Sequence, residues 1–115
     1  MSSRAWPLRV QDVIDAISGI QQRILGITLE EFEEDETLIK SVLYDFIVIG
    51  EASVNIPEDI QQRHPSIPWR LMIGMRNVMA HEYFQVNLAR VWATIREDLP
   101  PLVPHLEHIL SSKSK

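Results

Sequence analysis

Apolar residues recur along this chain at intervals of three and four, with no stretch of strict alternation. That period belongs to helices with one buried face, not to strands. Leu8, Ile14, Ile17 and Ile24 repeat at helical spacing after Pro7, which suits a first helical turn, so a helix is expected over about residues 7–24, ended by Gly26. A short acidic piece follows, and then Leu38, Ile39, Val42, Leu43, Phe46, Ile47, Ile49 and Gly50 mark a second long helix to about Ser53. Pro57 closes that region and starts a helical turn through Gln62. His64-Pro65-Ser66-Ile67-Pro68 reads as a linker, because each proline biases the residue before it away from helix. From Pro68 the pattern is helical again to about Ala80 or His81. Asn87 is placed to cap a further helix carrying Leu88, Val91, Trp92 and Ile95. Pro100-Pro101 interrupts it, and a last helix runs to about Leu110. The expected product is an all-α single domain over residues 1–115, an antiparallel bundle of four main helices and a short fifth.

The helix beginning at Pro68 carries unusual chemistry. On a wheel of about 100° per residue, Leu71, Met72, Met75, Val78 and Met79 share an arc of roughly 120°, the expected core face. Arg70, Asn77 and His81 fall on a second line, and Arg76, Ala80 and Tyr83 on a third. Ile73 and Gly74 sit in the half that the core leaves over, with Ala80 beside them. A fully solvated face seldom holds an isoleucine and two small residues, so something is expected to pack there. A second copy of the chain is the economical candidate, since two-fold dimers are the commonest soluble oligomers.

Composition narrows the options. At 115 residues and 45% apolar content, one domain with a sizeable core fits and a second catalytic domain does not. No cysteine is present, which excludes disulfides, thiolate catalysis and cysteine-based zinc sites. No basic-then-apolar leader and no apolar run near the ~20 residues of a membrane helix is seen, so the expectation is a soluble, cytoplasmic protein without a membrane partner. The net charge of −5 disfavours nucleic acid at first sight. The charge is unevenly spread, however. Between Ile60 and Arg96 lie five arginines and one acid, Glu82, whereas Glu30 to Glu36 holds six acids in seven positions around Phe32. A basic region around the chemical motif is compatible with a small or single-stranded RNA substrate. Two solvated faces of opposite sign would look the same.

The run Arg76-Asn77-Val78-Met79-Ala80-His81-Glu82-Tyr83 sets a permanent cation, a near-neutral base and a phenol within eight residues. An arginine and a histidine five apart do not pair along one helix face but can flank one groove, and a two-fold axis nearby would bring two such sets into one cleft. That set suits RNA cleavage by its own 2′-hydroxyl. Histidine exchanges the protons near neutrality. Arginine holds the phosphate and stabilises the transition-state charge. Asn77 can orient the imidazole or contact phosphate, and Arg70 lies on the same line. No metal and no cofactor is required.

The spacing Arg-x4-His-x-Tyr, with Asn directly after the Arg, resembles the signature of the HEPN superfamily and in particular its HepT-like branch. The resemblance extends to Ile49-Gly50-Glu51-Ala52, to Ile67-Pro68-Trp69-Arg70-Leu71-Met72-Ile73-Gly74-Met75, and to Val91-Trp92 through Asp98-Leu99-Pro100-Pro101-Leu102. It therefore covers nearly the whole chain in order. It implies an all-helical homodimer with metal-independent endoribonuclease activity, the toxin of a type VII-like toxin–antitoxin pair. Arg76 and His81 would be catalytic. A minimal nucleotidyltransferase antitoxin would silence the toxin by transferring AMP to Tyr83. Asn87 departs from the aspartate expected after the motif, a change to the helix cap more than to the chemistry.

Each feature also has a plainer reading. An Arg/His pair on a helix is more often structural than catalytic, and Tyr83 can simply finish a core. Met72, Met75 and Met79 read as core filler. His105 and His108, three apart, could ligate a metal only with a third ligand that the sequence does not offer. The acidic run reads as a solvated turn, and Glu51 as a paired semi-buried acid or a residue of a dimer groove. Two other functional classes stay open: a non-catalytic subunit that binds nucleotide or RNA for the transferase, and a purely structural helical module.

Overall fold

The computed structural model describes residues 5–80 and 87–112, with the backbone alone for residues 78–80. Seven α-helices form among them: α1 (Trp6–Arg23), α2 (Leu29–Glu34), α3 (Glu36–Val54), α4 (Glu58–Arg63), α5 (Trp69–Gly74), α6 (Leu88–Ala93) and α7 (Leu102–Ser112). A 3-10 segment, Met75–Ala80, prolongs α5, and a π-helical turn, Thr94–Asp98, prolongs α6. No strand occurs among the described residues, as the periodicity predicts. The division into elements is finer than four main helices and a short fifth. Apolar spacing does not distinguish α from 3-10 or π hydrogen bonding, and helices as short as α2 and α4 span too few turns to show a period.

The acidic run is the clearest local difference, since most of it forms α2 instead of a turn. Thr28 Oγ1 accepts from the Glu31 amide (3.1 Å) and Glu31 Oε1 accepts from the Thr28 amide (2.9 Å), a reciprocal capping box. Phe32 is fully buried and anchors this turn, while its acidic neighbours stay in solvent. Its ring lies 5.2 Å from that of Trp92, which ties α2 to α6. Asp35 then caps α3 by accepting from the Leu38 amide at 3.0 Å.

Helix α3 is the centre of the fold, packing against α1, α2, α5 and the 3-10 segment. Val10, Val13, Ile14, Ile17 and Ile20 of α1 are buried, as are Leu38, Ile39, Val42, Leu43, Phe46 and Ile49 of α3. Leu102, Leu106 and Ile109 of α7 close the other side of α1. Full burial of one such side chain contributes about 1.5–3 kcal/mol before its entropic cost. Leu8, expected on the buried stripe, is 47% exposed. It stands six positions before Ile14, which carries it roughly 240° round the helix and off the stripe. Gly26 ends α1 with φ of +77°, a left-handed conformation open to glycine without strain. No helix among the described residues is long and apolar enough to cross a membrane.

Arg23, at the end of α1, reaches across to Asp45 of α3 and forms an ion pair with it. Burial pushes the Asp45 carboxyl above the usual carboxylate range, and the Arg23 guanidinium offsets only part of that rise through its charge and hydrogen bond.

Candidate functional site

The position of Arg76 is set by backbone packing before its side chain is considered. Trp69 anchors the start of α5: it is buried, and its indole Nε1 donates to the His64 carbonyl at 3.0 Å. Trp69, Met72 and Met75 face the core and fix the rotation of the segment. Six positions after Trp69, at Met75, the helix tightens to 3-10, and at Arg76 it meets Gly50 of α3. A Cβ at Gly50 would lie 2.5 Å from both the N and the Cβ of Arg76, and 2.9 Å from its Cα. No side chain fits in that space, so glycine is what allows the two backbones to touch.

With its backbone seated there, Arg76 extends toward the residue after Gly50. Its Nη1 donates to Glu51 Oε2 at 3.3 Å. The Arg76 side chain is 37% exposed and that of Glu51 56%, so water screens the pair and its net worth is small. Guanidinium has five N–H donors in a planar fork, and a single contact to Glu51 leaves donors for a phosphate. Glu51 is thus paired, as one of its two expected roles required, but it is exposed instead of semi-buried.

Of the other expected site residues, Arg70 and Asn77 are both exposed, and His81 and Tyr83 lie outside the described residues. Two expectations for this helix change. Leu71, placed near one edge of the core arc, is 38% exposed, whereas Trp69, beyond the opposite edge, is buried, so the buried face is turned toward Trp69. The alignments drawn at 100° per residue end at Met75, because a 3-10 backbone advances about 120° per residue. Positions 76 and 80 therefore no longer share a line. Gly74 is exposed and Ile73 partly buried, in keeping with their assignment away from the main core.

The basic stretch is distributed over distinct settings. Arg63 pairs with Asp59 within α4 at 3.6 Å. The guanidinium of Arg96 sits 5.8 Å from the centroid of the Trp92 ring, a cation–π contact. Arg70 and Arg90 line one open groove between α5 and α6. His105 and His108 are exposed on α7, and no cluster of three metal-ligating side chains forms among the described residues.

Sequence reasoning missed the role of Gly50 and left that of Glu51 open. A signal for the first was present, since a glycine inside an otherwise apolar helical run marks close backbone approach or costs stability for nothing. For the second there was none, because the partner stands twenty-five positions away.

Comparison with known proteins gives this arrangement a context. The family model described as "Ribonuclease HepT-like" matches residues 13–109. A probable ribonuclease HepT from Thermococcus cleftensis is 38% identical over 100 residues, covering 87% of this chain and 91% of that protein. A protein of Caldanaerobacter subterraneus subsp. tengcongensis, provisionally named an RNase, is 31% identical over 104 residues, covering 90% of this chain and 93% of its own. No solved structure matches significantly. The family match takes in both partners of the Gly50–Arg76 crossing and the whole motif from Arg76 to Tyr83, and so the chain belongs to the HepT-like ribonuclease family of the HEPN superfamily.

Proposed function

We propose that this protein is a metal-independent endoribonuclease that works as a homodimer, with Arg76 and His81 as its catalytic residues. The observation that carries the reading is the seat of Arg76: a partly exposed guanidinium on an immobilised backbone, paired with one solvent-screened carboxylate, in a ribonuclease family. Glycine at position 50 lets the Arg76 backbone lie directly against α3 while the guanidinium stays partly open to solvent, a placement that suits phosphate binding.

In the proposed reaction the RNA 2′-oxygen attacks the adjacent phosphorus, and the bond from phosphorus to the 5′-oxygen breaks. A base takes the 2′-hydroxyl proton and an acid protonates the departing 5′-oxygen, leaving a 2′,3′-cyclic phosphate and a 5′-hydroxyl. His81 from each of two protomers could fill these two proton-transfer roles. Arg76 holds the phosphate oxygens and stabilises the charge that builds on them. Asn77 orients the imidazole or the phosphate. A minimal nucleotidyltransferase would act as antitoxin by transferring AMP to Tyr83, adding a negative phosphodiester and bulk near the guanidinium.

The test is cleavage of total and transfer RNA in EDTA by the unmodified protein, purified without its partner, beside Arg76→Ala and His81→Ala. Loss of cleavage in both, with cyclic phosphate ends on the wild-type products, is the expected result. A folded, unmodified dimer that leaves RNA intact would reject the nuclease in favour of a nucleotide- or RNA-binding subunit of the transferase.

A further inference from the structure

We propose that the groove between α5 and α6 binds a nucleotide of single-stranded RNA, its phosphate held by Arg70 and Arg90 and its base laid on the apolar lining. This rests on the ribonuclease reading and extends it to a second, non-reacting stretch of substrate.

The groove encloses about 360 Å³, at the lower end of the ~300–1,000 Å³ usual for small-ligand sites. Phe46, Met75 and Val91 form its floor, and Arg70 and Arg90 stand on its walls. No aspartate or glutamate lines it, and no carboxylate pairs with either arginine among the described residues. Two unneutralised cations beside an apolar surface are the complement of a nucleotide, which offers one anionic group and one flat π-face. Leu71, on the rim, is 38% exposed.

Gly74 strengthens the case by contrast with Gly50. A Cβ at Gly74 would meet no atom of the described residues within 4 Å, and its φ is not positive, so nothing among the described residues requires glycine there. Glycine within a helix is unfavourable relative to alanine. Its presence on the groove wall fits a ligand that approaches the backbone from outside. Arg76 is not among the described residues lining the groove and faces Gly50 and Glu51 instead, so an occupant here is a part of the substrate distinct from the phosphate that Arg76 would hold. A second copy of the chain is a poorer occupant, since a two-fold contact here would bring arginines together with no carboxylate among the described lining residues to offset them.

The experiment measures binding of a short fluorescent 2′-O-methyl oligonucleotide, which cannot be cleaved by 2′-oxygen attack, by anisotropy at several salt concentrations. The proteins are the full chain and its Arg70→Ala, Arg90→Ala, Gly74→Glu and Arg76→Ala variants, each checked for folding by circular dichroism. Each of the two groove arginine variants is expected to weaken binding and to lower the salt slope by up to about 0.7, the value of one phosphate contact wholly lost on a single strand. Gly74→Glu, whose Cβ has open space among the described residues, is expected to weaken binding further by placing a carboxylate beside the groove. Unchanged affinity and slope in both groove arginine variants, with binding lost in Arg76→Ala, would overturn the proposal. So would a Gly74→Glu protein that sediments as a monomer yet keeps wild-type affinity, because the occupant would then be a second copy. Binding that depends on Arg70 and Arg90 in a protein that leaves RNA intact supports the groove and rejects the nuclease. Cleavage that is insensitive to both arginines does the reverse.

Discussion

Gly50 and Arg76 touch backbone to backbone, with the space for a Cβ at position 50 taken by the N, Cα and Cβ of the arginine. Gly50→Ala must therefore push the 3-10 segment off α3. Overpacking of this kind costs about 1–3 kcal/mol. Urea unfolding should show that loss, and RNA cleavage should fall more steeply than stability because Arg76 moves with its backbone. A variant as stable and as active as the parent would show that the crossing does not set the arginine.

Gly74→Ala is the matching control. The added methyl meets nothing within 4 Å among the described residues and removes a helical glycine, so thermal or urea unfolding should show a gain of about 0.4–1 kcal/mol.

In the proposed reaction the Glu51 carboxylate stands beside the substrate phosphate, repelling it and occupying one of the Arg76 donors. Because both side chains of the pair are well exposed, Glu51→Gln should change stability by less than about 1 kcal/mol. It should also lower KM for RNA by removing the competing anion. A collapse of kcat at unchanged KM would instead give Glu51 a part in the chemistry.

Asp45 supplies a pH dependence with a definite sign. Burial raises its folded-state pKa, so the native protein holds this proton more tightly than the unfolded chain does. Its stabilising contribution is complete below the unfolded carboxylate value of ~3.9 and is lost as pH rises through the native value. Carboxyl NMR should find Asp45 titrating above the ordinary range. In Arg23→Ala it should titrate higher still, since the neighbouring positive charge that lowers it is gone. A lower midpoint in that variant would contradict the assignment of causes.

Asn87 accepts a hydrogen bond from the Arg90 amide at 3.0 Å, capping the helix that carries one wall of the groove. Asn87→Ala should cost about 1 kcal/mol in urea unfolding. Asn87→Asp should keep most of that stability, since aspartate caps equally well.

Much of this architecture is legible in the residues themselves. Ile14, Ile17, Phe46 and Ile49 show their burial through helical spacing, and Pro7 and Asn87 mark helix starts through local chemistry that acts within one turn. What escapes is of two kinds. The change from α to 3-10 at Met75 leaves no mark in apolar spacing, and it progressively rotates the positions after Arg76 away from where a regular wheel puts them. The pairing of Glu51 with Arg76 depends on how α3 and the motif segment cross, a long-range relation that no local pattern encodes. Arg70 and Arg90, separate in sequence, come to share a groove only because α5 and α6 share the floor provided by Phe46.

The crossing at Gly50 also bears on the order in which the molecule becomes competent. Helices α3 and α5 can each begin to form from local contacts, whereas the contact between positions 50 and 76 requires the intervening chain to close a loop, a slower and entropically costlier event. Before that closure the arginine is a tethered side chain with no fixed address. The seat of Arg76 therefore comes into being together with the docked helices, so a partly folded chain, even one with every helix formed, lacks the site.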